Sequence, residues 1–331
     1  MNPALPFPGQ RPPAYRMLED EPRFDPARHL ALEPPGRIWT LAEFGYGPEV
    51  IAATPSPIAA AGPFRVLSAE GVAALREVCL ALRGERLGDG GGLRTSSYVA
   101  GAAYRSAFVR DLCASPEVAG FLSDIAGTEL VPHSMPSQQV YINYAPDDLS
   151  KAVDNWHMDS IGFDYVLMLS DPAQLAGGRF QFFKGTAERA AALLGTTREN
   201  LTRGFAEPLP DDLVETVAFP AAGYGLFQQG HLVLHRATRL ERRAERITLV
   251  PGYVAADTSH PDPTIVERMA GYGEPGILME LARHAAWRTQ GRLESLIRDL
   301  PATEDPAVVR KALAEACADL QRAMAALDRP G

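Results

Sequence analysis

The chain has 331 residues, 46% hydrophobic and 22% charged, with 32 Lys and Arg against 41 Asp and Glu for a net charge of -9. Wholesale disorder is excluded, and without a basic field neither nucleic acid nor a membrane surface is expected as a partner. No apolar run is long enough to span a bilayer, and the proline-rich start MNPALPFPGQRPP lacks the regions of a signal peptide, so a cytoplasmic protein is expected.

Residues 1 to about 66 are rich in proline and alanine without sustained periodicity, which predicts an irregular segment wrapping the body. Ser68 then reads as an N-cap for a helix over 69–83, with Val72, Leu75, Cys79 and Leu82 at helical spacing and Gly84 as its stop. A second helix, 116–126, opens on Ser115-Pro116 and closes at Gly127. The glycines from Gly84 to Arg94 precede no Gly-Lys-Ser/Thr and open no helix, so a mobile loop is predicted rather than a phosphate cradle. Cys79, Cys113 and Cys317 are too few and scattered for a disulfide framework or a cysteine zinc site, and are expected in core packing.

From about residue 130 the period shortens to alternation. Short strands are predicted over 138–144, 163–169, 179–183, 214–219, 225–228 and 246–250, with turns at Gly177-Gly178 and Ala222-Gly223 and one helical insert near 187–203. Many short strands in succession point to an antiparallel barrel or jelly roll. Residues 276–298 and 306–328 read as helices. The second carries Val309, Leu313, Ala316, Leu320, Met324 and Leu327 on one stripe, expected to pack on the protein's own barrel, with a homodimer seam through these C-terminal helices as the alternative. The arginines between Arg236 and Arg246 alternate with Glu241 and Glu245 and read as a solvated turn.

The segment NWHMDS sets His157 and Asp159 two apart, so in a strand both face one side. Downstream, GHLVLHRATRL supplies His231 and His235. Their spacing would suit a zinc site on a helix, but Leu-Val-Leu between them is not helix-like; extended, they lie about 13 Å apart at roughly 3.3 Å per residue, too far to share an ion. One of them can join His157 and Asp159. Two histidines and a carboxylate with open positions opposite suit non-haem Fe(II), and a chelating co-substrate needs an Arg fork for its distal charge. Arg246 and Thr248 alternate with Ile247 and Leu249, which points both polar side chains inward.

As a set, WHMD, DPAQLAGGRFQFFKG, GYGLFQQGHLVLHRATRL and ERITLVPGYV resemble the iron and 2-oxoglutarate dependent dioxygenases, in their prolyl-hydroxylase-like and phytanoyl-CoA-hydroxylase-like branches. The match covers about residues 138–254. The resemblance implies a mainly β fold with flanking helices around a double-stranded β-helix (jelly-roll, cupin-like) core. It gives one oxygenase domain over 1–331: an irregular and helical N-terminal region to 130, the core over 131–255, and a helical C-terminal extension from 256. It implies that His157, Asp159 and His235 bind Fe(II), His235 being preferred to His231 because the family's distal histidine precedes its arginine by about ten residues. It also implies that Arg246 holds 2-oxoglutarate with help from Thr248, and that Tyr141 or Asn143 hydrogen-bonds the same co-substrate. O2 then completes an oxidation that leaves succinate and CO2. Related halogenases lack the carboxylate so that chloride can bind, so Asp159 implies hydroxylation or a related oxidation and disfavours halogenation.

The substrate is expected to be a small molecule such as an amino acid or a natural-product intermediate. Candidate contacts are Gln139, Trp156, Arg94, Arg105 and Lys184, with Gln138 and Arg179 as further choices. Desaturation, epoxidation or cyclisation at the same iron are alternatives, as are a cupin-like metal or ligand binder that oxidises nothing and a zinc hydrolase on a helix through His231 and His235.

Overall fold

The computed structural model describes residues 3–88, 95–271 and 273–328. The N-terminal segment is less irregular than its composition suggests. After α1 (Pro26–His29) come β1 (Arg37–Thr40), α2 (Pro48–Ala52) and β2 (Ile58–Arg65), and the two strands pair antiparallel. β2 reads IAAAGPFR, a poor strand sequence by propensity, and is held by context: Ala59, Ala60 and Ala61 are fully buried, where larger side chains would not fit.

α3 (Ala69–Leu82) starts as expected, with Ser68 Oγ accepting from Gly71 N at 3.0 Å, but runs into a 3-10 turn instead of stopping at Gly84. β3 (Leu87–Gly88) follows; residues 89–94 of the expected mobile loop, Arg94 among them, lie outside the described residues. Next come β4 (Ser97–Val99), α4 (Ala107–Cys113), which sequence periodicity missed, and α5 (Pro116–Ala126), closed by Gly127 at φ 67°. Then follow β5 (Leu130–Pro132), β6 (Val140–Tyr144), β7 (Ala152–His157), β8 (Phe163–Met168), β9 (Phe180–Phe183), α6 (Ala187–Leu193), β10 (Val214–Val217), β11 (Tyr224–Gln228), β12 (His235–Arg239) and β13 (Ile247–Ala255). The chain ends with α7 (Val266–Met269), α8 (Ile277–Asp299) and α9 (Pro306–Leu327).

The strands form two antiparallel sheets. The larger runs β1-β2-β11-β8-β13-β6-β4-β3, with β5 added on β13, and the smaller runs β10-β9-β12-β7. β8 shows how the layers lie. Phe163, Tyr165 and Leu167 point to a core shared with α3, α4 and α5, while Val166 and Met168 meet Phe180, Phe182 and Val217 of the smaller sheet. Both faces are covered, so all six residues of β8 are buried. Cys79 and Cys113 pack in the helix-side core, as expected.

The C-terminal helices are tied to the body by buried polar contacts. Ser134 Oγ lies 2.5 Å from His284 Nδ1, His284 Nε2 is 2.8 Å from Asp262 Oδ2, and Arg288 bonds Asp319 at 3.0 Å. Burial opposes the Asp262 charge, yet His284, Arg288 and Arg322 hold its carboxyl far below the usual range. The apolar stripe of α9 does not pack inward as expected. The helix buries Ala316, Asp319, Ala323 and Ala326 and leaves Leu313, Leu320, Met324 and Leu327 outside, because small residues let it lie close against α8. Among the described residues no helix is long and apolar enough to cross a membrane.

Candidate active site

A cavity of about 360 Å3 lies between the two sheets. Strand alternation selects its lining. On β6, Val140, Ile142 and Tyr144 enter the helix-side core, so Tyr141 and Asn143 face the cavity. On β13, Ile247 and Leu249 do the same, leaving Thr248 and Val250 inward, with Arg246 just ahead of the strand.

β7 breaks the alternation. His157 pairs with His235 while Asp154 pairs with Ala237, so β7 carries an extra residue, and this bulge brings Asp154 and His157, three apart, into one cavity. The strand ends at His157, but the next residues stay extended: Met158 N bonds Leu201 O at 3.0 Å and Asp159 N bonds Gly230 O at 2.9 Å. Asp159 thereby reaches the same cavity.

His157, Asp159 and His235 each offer a ligand atom, all within 4.8 Å of one another, and all three are buried. Asp159 lies 3.5 Å from His157 Nε2 and 3.3 Å from His235 Nε2. Both rings are oriented from behind. His157 Nδ1 donates to Asn155 O at 2.7 Å and His235 Nδ1 to Val233 O at 2.9 Å, which turns the Nε2 lone pairs toward the carboxylate. Burial, followed by His157, pushes the His235 pKa down to about 4, so its ring is neutral and free to ligate at pH 7. One carboxylate and two imidazoles whose Nε2 atoms face it fit a divalent first-row metal with an open face.

Arg246 is 1% exposed, yet no carboxylate pairs with it among the described residues. Its Nε donates to Gly178 O at 2.8 Å and its Nη1 lies 3.4 Å from Thr248 Oγ1, leaving the rest of the fork for the cavity. Burial lowers its pKa to about 10, so it remains a cation at neutral pH. The Gly177-Gly178 turn makes this possible. Gly178 has φ +64°, and a Cβ there would lie 2.8 Å from Arg246 Cδ.

Of the expected substrate contacts, Gln138 lines the cavity but Gln139 turns away and donates to His133 O at 2.9 Å. Trp156 is in the core beside α6 with Arg236 stacked on it at 4.4 Å. Arg105 is paired with Glu85 at 2.7 Å, and Lys184 with Glu215 at 3.6 Å. These four point elsewhere because each follows the outward face of its strand or loop. His231 sits in a turn, its Nδ1 3.1 Å from Gly162 O, so the helix needed for a zinc hydrolase does not form. Sequence reading missed Asp154, Asp164, Arg236, Arg268 and Glu274, all of which line the cavity. The bulge in β7 hid the first. Asp164, the one acid within the apolar run FDYVLM, was a visible signal.

Residues 94–270, just over half of the chain, match the family profile described as Halogenase D. The chain belongs to the Halogenase D family. Similar solved structures include the non-heme alpha ketoglutarate dependent carbocyclase SnoK from nogalamycin biosynthesis, 22% identical, with a TM-score of 0.46 over 73% of this chain and 95% of its own. The non-heme alpha ketoglutarate dependent epimerase SnoN from the same biosynthesis is 21% identical, with a TM-score of 0.45 over 63% of this chain and 84% of its own. A prolyl-4-hydroxylase from Pseudomonas putida is 13% identical, with a TM-score of 0.34 over 56% of this chain and 85% of its own. SnoN has also been solved with Fe3+ and alpha ketoglutarate. No curated protein matches the chain.

Proposed function

We propose that the protein is an Fe(II)- and 2-oxoglutarate-dependent oxygenase, built on a double-stranded β-helix core, that hydroxylates a C–H bond of a small metabolite such as an amino acid or a natural-product intermediate. One observation carries this reading: Arg246, a buried cation with no carboxylate ion-paired to it among the described residues, shares a cavity with a buried His-Asp-His triad. A lone buried charge is costly, and a dicarboxylate co-substrate anchored at one end by Arg246 and Thr248 would remove that cost.

His157, Asp159 and His235 would hold the iron, with Asn155 O and Val233 O fixing the imidazole tautomers. Iron, 2-oxoglutarate and O2 together supply the oxidant for C–H cleavage, with succinate and CO2 as co-products. The protein's part is to orient the co-substrate from Arg246, aim the two imidazoles from behind and exclude water with Val166, Phe180 and Ile161.

The family's name raises halogenation, and Asp159 argues against it here. With Asp159 as a third protein ligand beside His157 and His235, a chelating co-substrate and O2 would take the positions that a halide would need. The test is succinate formation in air with Fe(II) and 2-oxoglutarate, followed by the mass of any substrate-derived product in chloride buffer. Succinate that disappears in His157→Ala, with a product heavier by one oxygen and free of chlorine, is the expected result. A chlorinated product overturns the hydroxylase reading, and 2-oxoglutarate left unconsumed overturns the oxygenase.

A further inference from the structure

α8 and α9 form an antiparallel hairpin. Arg288 of α8 bonds Asp319 of α9 at 3.0 Å, and one turn later Arg292 donates to Glu315 O at 3.2 Å, so residue numbers rise on one helix as they fall on the other. α9 buries Ala316, Asp319, Ala323 and Ala326. One residue on from each of these stand Cys317, Leu320, Met324 and Leu327, which with Leu313 repeat at alternating steps of four and three, the heptad spacing of a helix seam. Yet this seam faces solvent, with Leu313 52% and Met324 66% exposed.

α8 carries a matching row. Leu293, one residue on from Arg292, is followed by Ile297 and Leu300, and Ile297 is 84% exposed. Toward the start of the helix the row continues through Met279, Ala282 and Ala286, all exposed. A step of one residue turns about 100° around a helix, and in two antiparallel helices that turn leads to the same side of the pair. The two rows therefore make one apolar face. The other side of α8 is covered, since Trp287, one residue back from Arg288, is buried and donates to Pro3 O at 2.8 Å. At about 1.5 Å per residue the bare face runs about 30 Å, and two helices of about 10 Å diameter make it about 20 Å wide, or roughly 600 Å2 before side-chain relief is counted. That is the upper end of what monomers leave bare, and it approaches the roughly 800 Å2 that each partner buries in a stable dimer.

Charge identifies the occupant. Arg310 and Asp328, at opposite ends of the α9 row, make no ion pair among the described residues, whereas Lys311 between them pairs with Glu315 at 3.8 Å. A second α9 laid antiparallel across a two-fold axis near Asp319 brings Arg310 beside the partner's Asp328, and symmetry repeats the pair at the other end. The same register sets Leu313 against the partner's Met324 and Cys317 against the partner's Leu320, which is how an antiparallel seam fills. We propose that the protein is a homodimer in which the α8–α9 hairpins of two copies pack face to face as a four-helix bundle, with α9 antiparallel to α9 at its centre.

The test is sedimentation velocity of the full chain from about 0.1 to 100 μM, with a dimer of Kd near or below about 1 μM expected. Ile297→Glu and Leu320→Glu each place a carboxylate in the buried face and are expected to raise that Kd at least roughly 10-fold, and together to leave monomer. Both positions are exposed in one chain, so the circular dichroism and unfolding temperature of the double variant should match those of wild-type monomer at low concentration. Arg310→Glu is expected to weaken the dimer by roughly 3- to 30-fold, and Asp328→Arg in the same chain to restore it. A chain that stays monomeric at about 100 μM, or a dimer whose Kd ignores both Ile297→Glu and Leu320→Glu, overturns the proposal. A charge swap that fails to restore association overturns the antiparallel register.

Discussion

Replacing Arg246 with methionine separates a binding role from a structural one. The side chain is 1% exposed and bonded to Gly178 O at 2.8 Å, so its removal leaves that carbonyl without its donor, a cost of about 1 to 3 kcal/mol. It also removes a buried charge that lacks a carboxylate partner, and replacing buried charge by an apolar side chain of similar volume is often neutral or stabilising by about 1 to 4 kcal/mol. The two effects are of similar size, so without ligand Arg246→Met should unfold within about 2 kcal/mol of the wild type. With ligand the outcome differs. Truncating one partner of a buried charged pair costs about 2 to 5 kcal/mol, or roughly 30- to 5,000-fold in Kd for 2-oxoglutarate. At a 2-oxoglutarate concentration near 100 Kd the wild type gains about 2.7 kcal/mol of stability, and the variant at the same concentration gains about 0.9 kcal/mol at a roughly 30-fold loss of affinity and almost nothing at the larger losses. Chemical denaturation with anaerobic Fe(II), with and without 2-oxoglutarate, reads both quantities. Equal stabilisation of wild type and variant by 2-oxoglutarate would refute the assignment of Arg246.

The Gly230 carbonyl accepts from Asp159 N, and a Cβ on Gly230 would overlap the carboxylates of Asp159 and Asp164. Gly230→Ala should displace Asp159 and lower bound iron well below one per chain by metal analysis; full occupancy would contradict the placement of that loop. Gly178→Ala should act like a milder Arg246→Met, weakening 2-oxoglutarate with iron retained, since the new methyl lies against Arg246 Cδ and Nε. Burial and Glu280 raise the Glu274 pKa to about 7, with Tyr141 and Ser137 opposing and Tyr15 also facing the group. A carboxyl whose folded pKa is raised destabilises the fold as pH rises from about 4.5 to 7, so Glu274→Gln should gain stability relative to wild type between pH 5 and pH 8, by up to about 3 kcal/mol. A pH-independent difference in denaturation would show that Glu274 is not desolvated.

Much of the site could be read from residue order. WHMD, the Gly177-Gly178 turn and the alternation of Arg246 with Ile247 all carried through, because each depends on local geometry. Helices capped by Ser68 and closed by Gly127 were legible for the same reason. What stayed hidden depends on long-range context. β2 is an alanine-rich strand that only its neighbours stabilise, and the bulge in β7 is a mismatch between two strands far apart in sequence. The side chains expected as substrate contacts at Trp156, Lys184, Arg105 and Gln139 do not line the cavity, because charge or proximity to a motif does not reveal which way a side chain faces. Glu274 and Arg268 could not be linked to the triad from sequence, since α7 meets Ile161 only through tertiary packing.

The most direct test of the central claim is the visible difference spectrum of purified protein mixed with Fe(II) and 2-oxoglutarate without oxygen. Bidentate 2-oxoglutarate on iron held by His157, Asp159 and His235 predicts a weak charge-transfer band in the wild type that is absent in His157→Ala. If no band develops with iron and 2-oxoglutarate both saturating, the cavity does not assemble that complex, and the oxygenase account is wrong.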